Sequence, residues 1–283
     1  MNVLHPRDLP ELFAALATPC AQMLAGGTDL LVRLRAAQAK GDHGPGTLVR
    51  LDGIDALRGV ERTPGGCLRL GAACTHTELL AHPLLRAELP ELAAALAELG
   101  SPPIRNMGTL GGNICTASPA GDTLPPLMAL GAEVELASAA GTRRMALADF
   151  ITGPGRTRLE PGEVLAAALV PPRPDFQVRH FEKVGRRSAL AVAVVSLAAL
   201  LRLEGGRVSR VAEARLAWGS VGPTVWRCPE AEAALVGQRL TLSSLGRAAA
   251  IVRAQVQPID DLRASAEYRR QVAGNLLLRL AVL

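Results

Sequence analysis

Glycines and small polar residues crowd one stretch of this chain where a folded core would want bulk: Arg105-Asn106-Met107-Gly108-Thr109-Leu110-Gly111-Gly112-Asn113, then Thr116-Ala117-Ser118-Pro119-Ala120-Gly121-Asp122. Three glycines within five residues permit positive φ angles and remove the side chains that would hold a ligand away from main-chain N–H groups. The stretch reads as a loop that grips phosphate. A second segment of the same character, Ala25-Gly26-Gly27-Thr28-Asp29, follows the apolar Met23-Leu24 and precedes Leu30-Leu31-Val32-Arg33-Leu34. That order reads as strand, glycine turn and helix start. Two such loops suit a diphosphate better than one.

A chain of 283 residues can hold two or three modest domains and bury a good fraction of its apolar surface. Cys20, Cys67, Cys74, Cys115 and Cys228 show neither C-x-x-C spacing nor partnering histidines, which argues against an iron-sulfur cluster, a zinc site or a disulfide framework. Reduced thiols in a cytoplasmic protein are expected. The longest uncharged apolar run, 188–201, stops at Arg187 and Arg202, too short to span a bilayer, and the first eight residues lack the pattern of a secretory signal. The formal charge of +5 raises the question of nucleic acid, but the basic residues are scattered and aromatics make up only 2% of the chain. Nucleic-acid binders cluster their charge and add stacking platforms, so anionic ligands or solvation explain the excess better. Lys40 and Lys183 are the only lysines, which makes any lysine in a folded element unusual here.

Along the chain, a βαβ-like start is expected: helix 8–16, strand 21–24, helix 28–37 and strand 47–51, with the Gly/Pro-rich 41–46 as an exposed connection. Strand-like alternation follows over 57–73 around the turn 63–66. Thr75-His76-Thr77-Glu78 then forms a capping box at a helix start, which makes His76 a structural or surface residue rather than a catalytic one. One helix is expected over 84–99, closed by Gly100-Ser101-Pro102-Pro103. A short helix from 123 through 130, a hairpin of 132–137 with 144–147, and a buried strand 164–170 follow. Prolines at 171, 172 and 174 mark a domain boundary. Beyond it come strands 181–184, 189–202 and 208–218, the last two joined by a turn at 204–207. Helices 230–235 and 242–255, and a last one from 265 onward, lie on that sheet.

Taken in order, the two glycine loops, Phe181-Glu182-Lys183-Val184-Gly185-Arg186-Arg187 and Ala266-Glu267-Tyr268-Arg269-Arg270 strongly resemble the FAD-binding subunit of the molybdenum hydroxylases, and the match covers essentially the whole chain. The resemblance implies an α+β fold of the molybdenum hydroxylase and vanillyl-alcohol-oxidase-like type. Its parts would be an N-terminal FAD subdomain (1–55), a second FAD subdomain (56–173) and a C-terminal domain of sheet plus helices (174–283). It also implies FAD held by Met23, Leu24, Ala25, Gly26, Gly27, Thr28, Asp29, Leu30, Gly100, Gly108, Thr109, Gly111, Gly112, Asn113, Cys115, Gly121, Asp122, Leu165 and Lys183. No catalytic acid or base is required.

Each part of FAD asks for different groups. N–H groups of Ala25 to Thr28 at a helix start suit the pyrophosphate, with the Thr28 hydroxyl as a further donor. Asp29 would repel phosphate, and is expected to cap the helix or order the loop. Asn113 can donate and accept, and Asp122 suits cofactor hydroxyls. Lys183 is placed near the flavin, where a fixed positive charge favours the anionic reduced ring; the bland alternative is a surface salt bridge to Glu182. The resemblance further implies a small iron-sulfur (2Fe-2S) subunit and a large molybdenum-cofactor subunit as partners, with NAD, oxygen or a quinone as acceptor. A stand-alone FAD oxidoreductase and a cofactor-free scaffold are the competing readings.

Overall fold

Asp8 accepts a hydrogen bond from Glu11 N at 2.8 Å and so caps the first helix, α1 (Leu9–Leu16), against which a small parallel sheet folds. The computed structural model describes residues 2–41, 44–205 and 209–282. The sheet comprises β1 (Asn2–Leu4), β2 (Ala21–Leu24) and β3 (Thr47–Arg50), with α2 (Leu30–Gln38) crossing over between the last two. Both outer strands run parallel to β3, in the order β1-β3-β2. β1 was not expected: its three residues are exposed and carry no alternation, so only the ladder to β3 reveals it. Leu12, Val49, Ile54 and Leu57 form the buried centre of this part. The expected connection 41–46 includes Asp42 and His43, which lie outside the described residues.

A five-stranded antiparallel sheet follows, built from β4 (Val60–Arg62), β5 (Leu68–Gly71), β6 (Glu133–Ser138), β7 (Gly141–Ala146) and β10 (Val164–Val170), in the order β4-β5-β10-β6-β7. β10 sits at its centre with every residue buried, which is why its sequence is one unbroken apolar run. Between β5 and β6 lie α3 (His76–Ala81), α4 (Pro83–Glu88), α5 (Pro90–Glu98), α6 (Pro102–Met107), α7 (Leu110–Thr116) and α8 (Leu124–Ala129). A single-turn α9 (Leu147–Phe150) and the hairpin β8 (Ile151–Gly153) with β9 (Arg156–Thr157) precede β10.

Three expectations fail in this region, each for a proline or glycine reason. The helix expected over 84–99 is two helices, broken at Leu89 because Pro90 has no N–H to continue the ladder and disfavours helical geometry in its predecessor. Pro102 and Pro103 do not merely end a helix: they open α6, since a fixed φ suits a first turn, and Ser101 caps it by accepting from Ile104 N. The supposed glycine loop at 110–113 is the first turn of α7, with Thr109 as its cap, accepting from Gly112 N at 3.1 Å.

The C-terminal part is a four-stranded antiparallel sheet, β11 (Val178–Val184), β12 (Val195–Glu204), β13 (Arg210–Gly219) and β14 (Trp226–Arg227), covered by α10 (Pro229–Leu235), α11 (Leu242–Gln255) and α12 (Ala266–Leu278). Trp218 is fully buried between sheet and helices and donates its indole N–H to Ala273 O at 3.1 Å. The strand expected over 189–202 begins only at Val195. The turn expected at 204–207 includes Gly206 and Arg207, which with Val208 lie outside the described residues. α5 packs on β11 through a buried ion pair, Arg179 Nε to Glu91 Oε2 at 3.1 Å, with Glu91 wholly inaccessible. Among the described residues, no helix is long and apolar enough to cross a membrane, and no cluster of His, Cys, Asp or Glu could hold a metal ion.

Candidate functional site

The parallel β2–α2–β3 crossover puts Ala25 to Asp29 at the carboxyl end of β2, where the chain turns into α2. Gly27 makes that turn at φ 71°, a conformation that disfavours any residue with a Cβ. Gly26 is there for closeness: a Cβ on it would stand 1.7 Å from Met107 O and 2.9 Å from Gly108 Cα. The two glycine segments therefore meet backbone to backbone, although 80 residues of sequence and a change of sheet separate them. Asp29 does not cap α2 with its side chain. It orders the junction instead, pairing with Arg33 at 2.9 Å and accepting from Thr116 Oγ1 at 3.4 Å.

A cavity of about 340 Å³ opens beneath this junction. The structure brings Met23, Ala25, Gly26, Gly27, Thr28, Asp29 and Leu30 to it from the first segment, and Gly108, Thr109, Gly111, Gly112, Asn113 and Cys115 from the second. Leu165 reaches it from β10, beside a register shift in the pairing with β6 between Leu165 and Ala167. Sequence reasoning missed Gln22, Arg33, Thr116, Leu159 and Val164 as lining residues. It also missed Ala72 and Ala73, for which the run Gly71-Ala72-Ala73 was the available signal, another sacrifice of side chains at a strand end. Among the described residues, no Phe, Tyr or Trp lines the cavity.

The two segments do different work. Leu110 N donates to Cys74 O at 3.1 Å and Gly111 N to Ala72 O at 2.8 Å, while Gly112 N is held by Thr109, so the donors of the second segment serve the protein. Its glycines buy proximity: a Cβ on Gly111 would lie 2.6 Å from Ala72 Cβ. In the first segment the N–H groups of Gly26, Gly27 and Thr28 have no partner among the described residues, at the positive end of α2's dipole. Asn113 Oδ1 accepts from Thr123 Oγ1 at 2.6 Å, and its NH2 has no partner among the described residues. Unspent donors on a side-chain-free cradle beside an apolar cavity fit a nucleotide with an anionic middle and a flat apolar end. Burial pushes the Cys115 thiol up to about 12, so it stands as a neutral, apolar wall.

Five candidates do not line the cavity: Leu24, Gly100, Gly121, Asp122 and Lys183. Lys183 is buried and donates to Asp122 Oδ2 at 2.8 Å and to Glu98 O at 2.7 Å. It does not pair with Glu182, which is engaged by His180 and Arg279. The pair is thus one residue removed from Leu99, a cavity wall, and Arg105 secures the same turn by donating to Leu99 O and Gly100 O. Asp122 Oδ1 is buried without a partner, and burial raises its carboxyl to about 6 against the opposing pull of Lys183.

Residues 1–173 match the family model described as the FAD binding domain in molybdopterin dehydrogenase, and 179–282 match the CO dehydrogenase flavoprotein C-terminal domain. The chain belongs to this family. The flavoprotein is 36% identical over 253 residues to the putative xanthine dehydrogenase FAD-binding subunit of Escherichia coli K12, covering 89% of this chain and 84% of that one. It is 31% identical to the carbon monoxide dehydrogenase medium chain of Hydrogenophaga pseudoflava, with 97% and 93% covered. Its fold matches quinoline 2-oxidoreductase of Pseudomonas putida 86 with a TM-score of 0.91 at 30% identity, covering all of this chain and 95% of that one. The α+β fold expected from the four ordered segments is therefore the fold present, FAD is the cofactor, and the chain is the FAD-containing component of an oxidoreductase of the molybdenum hydroxylase type.

Proposed function

We propose that this flavoprotein works between a small iron-sulfur subunit and a large molybdenum-cofactor subunit, passing electrons from the first to NAD, oxygen or a quinone. Bound FAD supplies the redox chemistry. The chain's own residues bind and orient it. In this reading the free N–H groups of Gly26, Gly27 and Thr28 hold the pyrophosphate, Asn113 fixes it from the second segment, and Leu99, Cys115 and Leu165 exclude water from the apolar ring. Asp122 and Lys183 act one step back, by anchoring the turn that carries Leu99. Their mutual neutralisation leaves less net positive charge for the flavin than a lone lysine would.

The observation that carries the reading is the backbone contact of Gly26 with Met107 and Gly108 above a cavity whose nearest donors are unused. The division into 1–55, 56–173 and 174–283 is supported by four separate sheets among the described residues, each confined to one part. A cytoplasmic setting fits five cysteines that are all free. The test is co-purification of the chain at natural expression level, followed by absorbance and subunit analysis. A yellow complex with one FAD per chain and two further subunits is expected. A colourless preparation that ignores added FAD would leave only the scaffold reading, and turnover by the chain alone would favour a stand-alone oxidoreductase.

A further inference from the structure

α5 ends at the cavity, with Leu99 both its C-cap and a wall residue, and two cations hold that end. Lys183 Nζ donates to Glu98 O at 2.7 Å, while Arg105, in the last turn of α6, donates to Leu99 O at 2.9 Å and to Gly100 O at 3.2 Å. Basic side chains commonly meet the last carbonyls of a helix, so these contacts alone explain a fixed turn. They do not explain why the two charges are compensated so differently.

Arg33, Lys183 and Arg105 are the described cations that line the cavity or grip the turn carrying Leu99. Lys183 is neutralised by Asp122 at 2.8 Å, and Arg33 is largely exposed and paired with Asp29 at 2.9 Å. Arg105 is half-buried beside Ile104, a wall residue, and has no carboxylate within ion-pair distance among the described residues; its partners are the two carbonyls. Glu98 is exposed, where water screens it. The charge of Arg105 reaches the cavity wall. The buried ring of His76, on the α3 that packs against α6, lines the cavity, and its pKa is pushed down to about 4, first by burial and second by Arg105.

A fixed charge at a cavity wall acts on whatever charge develops inside. Two electrons from the iron-sulfur partner and one proton from solvent leave a flavin ring with one negative charge, which a second proton would cancel. We propose that Arg105, rather than Lys183, supplies the fixed positive charge that favours this reduced anion, and so raises the midpoint potential of the flavin. The inference rests on FAD occupying the cavity with its ring against Leu99. At an effective dielectric of about 20, a unit charge ~10 Å from a developing negative charge favours it by on the order of tenfold. For a two-electron couple tenfold corresponds to about 30 mV.

Two substitutions separate charge from capping. Arg105→Gln keeps an N–H donor for the Leu99 turn and removes the charge, whereas Arg105→Lys keeps the charge and loses the planar fork. The intact complex is reduced anaerobically with dithionite against a reference dye to give the flavin potential. The deflavinated complex is titrated with oxidised FAD, and thermal melting reports the fold. Arg105→Gln should lie about 30 mV below the parent while binding oxidised FAD within about threefold of it, and Arg105→Lys should recover most of the difference. An unchanged potential in Arg105→Gln would leave the guanidinium a helix cap only. Weaker binding of oxidised FAD with the potential unmoved would place the charge at the pyrophosphate, because both oxidation states then lose equally. Equal falls in the two variants would assign the effect to the shape of the fork. Each of these results overturns the proposal, as does failure of Arg105→Gln to assemble. A parent complex that holds no FAD would instead refute the cofactor reading of the cavity.

Discussion

Gly26→Ala is the sharpest perturbation the structure offers, because one added methyl group must enter space held by backbone. Its Cβ would stand 1.7 Å from Met107 O, where ordinary contact begins near 3.4 Å, and Met107 C and Gly108 Cα crowd the same point. None of these is a flexible side chain. The segments must therefore part by something on the order of 1.5 Å, and a donor of the first segment that reaches phosphate at ~2.9 Å would be carried out of hydrogen-bond range. Hydrogen bonds to charged groups contribute about 1.5–3 kcal/mol, so losing one weakens FAD by roughly tenfold to a hundredfold. Overpacking adds ~1–3 kcal/mol of destabilisation in the FAD-free protein. The assay is titration of the deflavinated complex with FAD, with thermal melting of the FAD-free form alongside. Gly46→Ala is the control, since nothing lies within 4 Å of its added Cβ. An affinity for FAD within about threefold of the parent in Gly26→Ala would refute the claim that backbone contact between the segments shapes the site.

Lys183→Met should leave Asp122 buried without a counter-charge and cost ~3–5 kcal/mol in urea unfolding, while the double substitution Lys183→Met with Asp122→Asn recovers part of that loss. Additive single losses would sink the pairing. Acid sensitivity offers a second check. With its pKa held near 4, below the ordinary 6.5, His76 contributes stability at neutral pH that is lost, by about 3 kcal/mol in full, as pH falls through that window. Asp122, raised to about 6 from 3.8, works the other way: its contribution is present below 3.8 and lost as pH rises through 6. The two slopes oppose one another, so Asp122→Asn should lose stability more steeply than the parent between pH 6.5 and 4.5. Parallel pH profiles for the two proteins would count against the Asp122 assignment, and a profile with no loss between pH 6.5 and 4 in Asp122→Asn would count against that of His76. Finally, hydrogen exchange of β1 to β3 should accelerate on FAD removal while β12 and β13 stay protected; an equal change in both sets of strands would contradict independent stability of the C-terminal part.

Periodicity and caps were enough to read most strands of the two large antiparallel sheets and most helices, because β10, β12 and β13 bury long apolar runs whose pattern needs no tertiary knowledge, whereas the two-residue β14 and the β8–β9 hairpin were not read. Apart from the proline breaks at 90 and 102, much of what escaped was decided by long-range contact. β1 exists through its ladder to β3, and its own residues announce nothing. The glycines at 111 and 112 looked like loop residues because side-chain loss is ambiguous: it lets two loop backbones meet at Gly26, but lets a helix start close on the chain just after β5 at Gly111. Lys183 was singled out correctly as an unusual lysine, yet its partner could not be read, since Asp122 lies 61 positions away and on another part of the fold. His76 hid inside a cap that explained its backbone well enough to stop inquiry about its ring.

The site's placement between parts carries its own energetic consequence. α2 buries none of its residues, so it gains little from the body it lies on, and its position depends on its ends. At the end facing the cavity, the ties to the second segment are the Gly26 approach to Met107 and the Thr116 hydroxyl on Asp29. A ligand that spans both segments adds ties of its own, and its binding free energy is then also free energy of docking the N-terminal sheet. At a hundredfold excess over the dissociation constant that linkage amounts to about 2.7 kcal/mol, comparable to a buried side chain. On the proposed placement of FAD, the cofactor is part of what holds the N-terminal part in register, and weak binding and loose docking are two measurements of one equilibrium.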